Sequence, residues 1–218
     1  MSITVNGGKA AAIFDMDGTL LDSMTHWRRL VWQYMERHAI PASPQLEEKL
    51  THMRTGEAVN YLYDHYSIPL SRQELWKELY SYILPSYQTT FALKPGALDY
   101  LQQLQKRGIR LCVATATDRP YAEAALARNG VLPLLEFILT EREAGKTKDE
   151  PDIYLQAAQK LGVAPGDCVV YEDALHAVCT AKRAGFTVWG IADPTESHHR
   201  QELQSHCDCF WDSYSQML

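Results

Sequence analysis

Asp15 and Asp17 are separated by one residue, followed at once by Gly18 and Thr19, and preceded by the apolar run Ala-Ala-Ala-Ile-Phe. Two carboxylates at this spacing can share acid, base, nucleophilic and cation-binding work, and the glycine lets backbone N–H groups turn towards an anion. An isolated pattern of this kind is equally compatible with a turn that caps the next helix. Other polar residues also stand at the ends of short apolar runs. Thr115 follows 109–114, Thr140 follows 137–139, Glu172 and Asp173 follow 168–171, and Asp193 follows 187–192.

Each apolar run reads as a buried parallel strand that delivers a polar residue at its C-terminal end. Amphipathic helical segments separate them, among them Leu98, Leu101 and Leu104 stopped by Gly108, and Ala181 and Ala184 stopped by Gly185. Strands alternating with helices predict an α/β fold with a doubly wound, Rossmann-like parallel sheet. In such sheets the C-terminal strand ends converge on one edge, where ligands bind. That edge would gather Asp15, Asp17, Thr115, Glu172 and Asp173.

From Asp22 to about Thr90 the strand signals vanish and helical ones follow one another. Trp27, Leu30, Val31, Tyr34 and Met35 share one helical face, and Pro41 and Pro44 interrupt it. Val59, Leu62, Tyr63 and Tyr66 make a second stripe. Ser71 with Glu74 forms a capping box opening a third helix through Leu75, Leu79, Tyr82 and Ile83. The expected organisation is a catalytic core of 1–21 and 91–218, with an inserted helical domain of 22–90. The aromatic stripes of the insert read as its own core rather than as a stacking platform for bases.

The 218 residues carry 46% hydrophobic and 22% charged side chains, enough to bury a full core, and a formal net charge of −6. No basic run provides a footprint for nucleic acid, so any anion bound is small and held locally. No apolar stretch reaches membrane-spanning length and no signal peptide is legible, which predicts a cytoplasmic protein with no membrane partner; a monomer or weak homodimer is the expected state. Cys112, Cys168, Cys179, Cys207 and Cys209 contain no C-x-x-C pair and suggest neither disulfides nor structural zinc.

Asp15-Met16-Asp17-Gly18-Thr19-Leu20-Leu21-Asp22-Ser23 resembles the first signature of haloacid dehalogenase superfamily phosphatases at every informative position. Thr115 resembles the second, Lys148 in Lys-Asp-Glu-Pro-Asp-Ile-Tyr-Leu the third, and Tyr171-Glu172-Asp173-Ala174 the fourth. The motifs span most of the chain in the right order. The insert is similar to the helical cap of the β-phosphoglucomutase and phosphoglycolate phosphatase branch. Thr147 replaces the glycine common before the lysine, which keeps Lys146 as an alternative. His176 stands where glycine is frequent, without an assigned role, and His198-His199 reads as a solvated segment.

The resemblance implies a Mg²⁺-dependent enzyme in which Asp15 attacks a phosphomonoester. A carboxylate approaching a phosphate dianion is repelled, and a divalent cation between them relieves this. The implied ligands are Asp15, Asp17 through its carbonyl, and Asp173, with Glu172 in or near the outer shell. The Asp17 carboxyl would protonate the leaving oxygen and then deprotonate the attacking water. Thr115, Ala116 and Lys148 would hold the phosphoryl oxygens. Arg54, with His52 and Glu57, falls on the cap segment implied to read the substrate, a small phosphorylated metabolite. A dehalogenase would not need Asp17. A phosphonatase would need a cap lysine in a dry pocket, and the insert lysines Lys49 and Lys77 have polar or acidic neighbours. A silent binding module should have lost one of Asp15, Asp17, Lys148 or Asp173. The motifs leave hydrolase and phosphomutase both open.

Overall fold

A computed structural model of the chain describes residues 5–41, 43–51, 53 and 55–218. Six strands, β1 (Ala11–Phe14), β2 (Arg110–Thr115), β3 (Phe137–Thr140), β4 (Cys168–Glu172), β5 (Thr187–Ile191) and β6 (Cys209–Trp211), form one sheet in the order β3-β2-β1-β4-β5-β6. All pairings are parallel, and Ile13 lies level with Cys112 on one side and Val170 on the other. The helices are α1 (Met24–Arg37), α2 (Pro44–Thr51), α3 (Thr55–His65), α4 (Arg72–Thr89), α5 (Ala97–Lys106), α6 (Arg119–Arg128), α7 (Glu141–Ala144), α8 (Asp152–Lys160), α9 (Leu175–Arg183) and α10 (Arg200–His206).

Every residue of β1 is buried, as its unbroken apolar run requires. Ala12 and Phe14 face a layer with Leu101 of α5 and Tyr121 of α6, while Ala11 and Ile13 face one with Ala157 of α8 and Val178 of α9. Helices therefore cover both faces, and the doubly wound sheet is the one the alternation predicts. The chain winds from β1 out to β3, then returns to place β4 on the other side of β1. The crevice between the ends of β1 and β4 is thus the topological switch point, and Asp15 and Asp173 leave the sheet on either side of it.

Four helices, α1 to α4, occupy the segment between β1 and α5. The α1 face buries Leu30, Tyr34 and Met35, and α4 buries Leu75, Leu79 and Ile83 behind the expected cap, with Ser71 N donating to Glu74 Oε2 (2.8 Å) and Glu74 N to Ser71 Oγ (3.3 Å). Two details differ from expectation. Pro44 opens α2 rather than merely interrupting, since the first helical position needs no N–H and suits its fixed φ. Tyr63 turns out to solvent, with the Arg72 guanidinium 4.8 Å from its ring centre, and Ala58, Val59 and Leu62 form the buried stripe. A strand that sequence patterning passes over, β6, is a three-residue, half-buried edge too short to show periodicity.

The two connections between these helices and the sheet are paired with each other. Asp22 N donates to Ala92 O (2.9 Å), Lys94 N donates to Leu20 O (2.8 Å), and Leu21 and Leu93 form an antiparallel bridge. Among the described residues no helix is long and apolar enough to cross a membrane.

Candidate active site

Asp15 is the first residue past β1, and its N–H still bonds Tyr171 O of β4 (3.0 Å), which holds it at the sheet end. Lys148 comes from the loop between α7 and α8 and is buried. Its N–H donates to Glu141 Oε1 (2.7 Å), while its ammonium pairs with Asp15 Oδ1 and, at 2.5 Å, with Glu172 Oε1. Tyr154 OH donates to the same Glu172 oxygen (2.7 Å). Asp173 lies beside them, and Thr19 Oγ1 donates to its Oδ1 (2.6 Å). Lys146 is exposed, so of the two candidate lysines Lys148 is the one that reaches the carboxylates.

Burial pushes the Asp15 carboxyl up to about 6; the Lys148 ammonium pulls it back down and the charge of Glu172 adds to the rise. Burial also drives Asp173 well above the ordinary carboxyl range, reinforced by the charges of Asp15 and Glu172 and opposed by Lys94. For Lys148 burial works against the charge, but the attraction of Asp15 and Glu172 outweighs it and the ammonium is held above its usual value. Oxygens of Asp15, Glu172 and Asp173 all lie within 4.8 Å of one another. One ammonium against three buried carboxylates leaves negative charge unbalanced, and the donors are all hard oxygens. The residues fit a Mg²⁺-like cation on both counts.

Asp17 sits apart from this cluster, in a hydroxyl cage. Ser23 Oγ donates to its Oδ1 (2.6 Å), and Thr117 Oγ1 (2.7 Å) and Tyr87 OH (3.0 Å) donate to its Oδ2. Burial pushes this carboxyl up to about 6, while the bonds from Ser23 and Thr117 hold it down. A carboxyl near 6 is poised to exchange a proton close to neutral pH. Thr115 ends β2, where its Oγ1 accepts from Thr117 N (3.0 Å) and shapes the loop.

These groups line a cavity of about 160 Å³, whose walls include Asp15, Asp17, Thr115, Ala116, Lys148, Glu172 and Asp173. Met24 and Trp27 of α1, Leu50 of α2 and Met53 also line it. His176, exposed on the first turn of α9, stands at its rim. Glu57 lies in the first turn of α3 and is not among the lining residues. His52 and Arg54 lie outside the described residues. A second grouping, Glu196 with His198 and His199, lies on the segment Pro194–His199, where His199 Nδ1 is already 3.1 Å from Glu196 Oε2.

Sequence reasoning missed Trp27, Tyr87, Thr117, Glu141 and Tyr154. Thr117 carried a usable signal, a second hydroxyl two residues after Thr115. Glu141 and Tyr154 carried none, because their partners are 7 and 18 residues away on other elements.

A doubly wound parallel sheet with a carboxylate and lysine cluster at its switch point defines a class of hydrolytic α/β enzymes. A family model of haloacid dehalogenase-like hydrolases matches residues 9–185. The chain belongs to that family. It is similar to validoxylamine A 7'-phosphate phosphatase of Streptomyces hygroscopicus subsp. limoneus, 33% identical over 88% of each chain. It is also similar to hexitol phosphatase A of Escherichia coli K12, 32% identical over 88% of this chain and 87% of that one. In three dimensions it resembles CbbY of Rhodobacter sphaeroides in complex with phosphate, with a TM-score of 0.81 and 24% identity over 96% of both chains.

Proposed function

We propose that this hydrolase is a Mg²⁺-dependent phosphatase that takes a small phosphorylated metabolite, such as a sugar phosphate, through an aspartyl-phosphate at Asp15. The observation that carries the reading is the ion pair between Lys148 and Asp15 at the mouth of the switch-point crevice, beside Asp173. The relatives named above for phosphatase activity support the substrate class.

Asp15 attacks phosphorus in this reading, forming an Oδ–P bond as the P–O bond to the leaving group breaks. Asp17 passes its proton to the departing oxygen and recovers one from the water that then cleaves the acyl-phosphate. Lys148, Thr115 and the backbone at Ala116 take the charge that spreads over the equatorial oxygens. Asp15, Asp173 and the Asp17 carbonyl would hold Mg²⁺, with Glu172 supporting them. The cation, when bound, screens the repulsion between carboxylate and phosphate.

The strand-end groups recognise phosphate alone, so the organic part of the substrate must be read elsewhere. The insert is the reader in this proposal, a lid domain of 22–90 over a core of 1–21 and 91–218, with the paired connections at 20–22 and 92–94 as its hinge. Arg54, His52 and Glu57 remain the candidate specificity residues, although among the described residues the insert lines the cavity with Met24, Trp27, Leu50 and Met53. The test is phosphate release from a panel of phosphorylated metabolites with and without Mg²⁺, repeated with Asp15→Asn and Arg54→Ala. Asp15→Asn should stay folded and lose at least about 10³-fold in turnover. Near-wild-type release by the folded variant would sink the mechanism. Arg54→Ala should change the ranking of metabolites, and an unchanged ranking would place specificity elsewhere.

A further inference from the structure

We infer that Tyr87, together with the Trp27 indole that donates to it, is a positioning residue for Asp17, so that the helical insert aims the proton-transferring carboxyl. The inference rests on the function proposed above and adds residues that its mechanism leaves out.

The direction of each hydrogen bond is determined by donor count. Indole Nε1–H can only donate, so at 2.7 Å it gives its proton to Tyr87 OH. The single Tyr87 proton is then free for Asp17 Oδ2 (3.0 Å) or Thr117 Oγ1 (3.2 Å). Thr117 spends its own proton on Asp17 Oδ2 at 2.7 Å. Whichever acceptor Tyr87 takes, the chain ends on the same carboxylate oxygen. Ser23 holds the other oxygen at 2.6 Å. With both oxygens bonded, the plane of the Asp17 carboxyl is set where Asp17 lines the cavity.

These donors come from different parts of the fold. Trp27 is on α1 and Tyr87 near the end of α4, both in the insert, whereas Thr117 follows β2 in the sheet domain. Tyr87 is fully buried and is not among the cavity-lining residues, so it acts through Asp17 and not by touching substrate. Its ring is fixed against the core: it stacks on Tyr121 of α6 with centroids 5.3 Å apart and planes 12° from parallel. Seven residues earlier on α4, Tyr80 packs on the other side of this contact, 4.4 Å from Tyr121, and donates to Asp118 Oδ2 (2.8 Å) just after Thr117. The insert is thereby docked on the loop 115–118, and the hydroxyl that orients Asp17 is delivered by that docking. Chemistry and placement of the insert are linked through one oxygen atom.

A purely structural role and a positioning role predict different substrate dependence. During transfer to Asp15, an alkyl alcohol needs the Asp17 proton as its P–O bond breaks, whereas 4-nitrophenolate leaves without one. The parameter kcat/KM reports that step. With saturating Mg²⁺, Tyr87→Phe should lower kcat/KM for glucose 6-phosphate at least about tenfold more than for 4-nitrophenyl phosphate, the size expected of mispositioned proton transfer. Trp27→Phe should shift the ratio in the same direction by less; because Trp27 also lines the cavity, it serves as the measure if Tyr87→Phe does not fold through the shift that disappears in the Asp17→Asn background. In an Asp17→Asn background Tyr87→Phe should leave the ratio where Asp17→Asn alone puts it. Equal losses on both esters, or a further change of ratio in the Asp17→Asn background, would overturn the inference. If glucose 6-phosphate is not turned over, the alkyl phosphate of the metabolite panel that is turned over best takes its place, and wild-type protein that releases phosphate from none of these esters would instead overturn the phosphatase reading itself.

Discussion

Asp173 Oδ2 occupies the place where Gly18 would carry a side chain, since a Cβ built on Gly18 would meet it at 2.2 Å and Met24 Cγ at 2.9 Å. Gly18 also has φ of +85°, a conformation that L residues other than glycine adopt at a cost. Gly18→Ala therefore strains the loop and pushes Asp173 off its bond from Thr19. The expected result is a loss of about 1–3 kcal/mol in stability together with a loss of about 10²-fold or more in turnover, since small misplacements at a reacting centre are this costly. Urea melts and phosphate release measure the two. Wild-type turnover in a weakened protein would show that the position of Asp173 does not matter to the chemistry.

Without a cation, the buried carboxylates make folding depend on pH in a definite direction. A carboxyl whose folded pKa is raised takes up a proton more readily when folded. Its contribution to stability is complete below the unfolded value of about 4 and is lost as pH rises through the folded value. For Asp15, pushed up to about 6, that loss falls between about pH 4 and 6. For Asp173, raised well above the ordinary range, it extends higher. Asp173→Asn should accordingly raise the Tm of chelator-treated protein, with a larger gain at pH 8 than at pH 5. Adding Mg²⁺ should raise the wild-type Tm and have a smaller effect on the variant. A variant that melts lower than wild type at pH 8 without metal would contradict this account.

What could be read from the sequence followed physical reach. The sheet was legible because β1, β4 and the part of β2 after Arg110 are buried on both faces and so appear as largely apolar runs. Asp15, Thr115 and Asp173 were legible because each directly ends or follows such a run. Pattern failed where the determinant is a contact between distant elements. Tyr87 went unnamed, because nothing local indicates that its hydroxyl lies 3.0 Å from a carboxylate 70 residues away. Tyr63 was misplaced because period alone does not say which of two adjacent stripes faces inward, and an Arg72 stacked on it makes exposure tolerable.

The choice between Lys146 and Lys148, which spacing turns towards Lys148 and Thr147 keeps open, is a matter of burial in the folded chain and can be tested by two substitutions. Lys148 is fixed at both ends, its N–H on Glu141 and its ammonium between Asp15 and Glu172, whereas Lys146 is exposed. Lys148→Met removes the ammonium that bonds these two carboxylates and a donor for the phosphoryl oxygens. Turnover should fall by about 10²–10³-fold, the range seen when one such donor is lost. Stability without metal should fall too, because deleting one partner of a buried pair leaves its charges uncompensated, and Mg²⁺ should recover part of that loss by taking over the screening. Lys146→Met should change neither quantity by more than about twofold in rate or about 0.5 kcal/mol, as for most surface positions. Because Asp15 and Glu172 hold the Lys148 ammonium above its ordinary value, the wild-type rate profile should show no inflection from its deprotonation below about pH 10. Kinetics and melting curves of both variants, each with and without Mg²⁺, are the measurement. A severe defect in Lys146→Met, with Lys148→Met close to wild type, would mean that the phosphate-binding lysine had been misassigned and that the pair with Asp15 only balances charge.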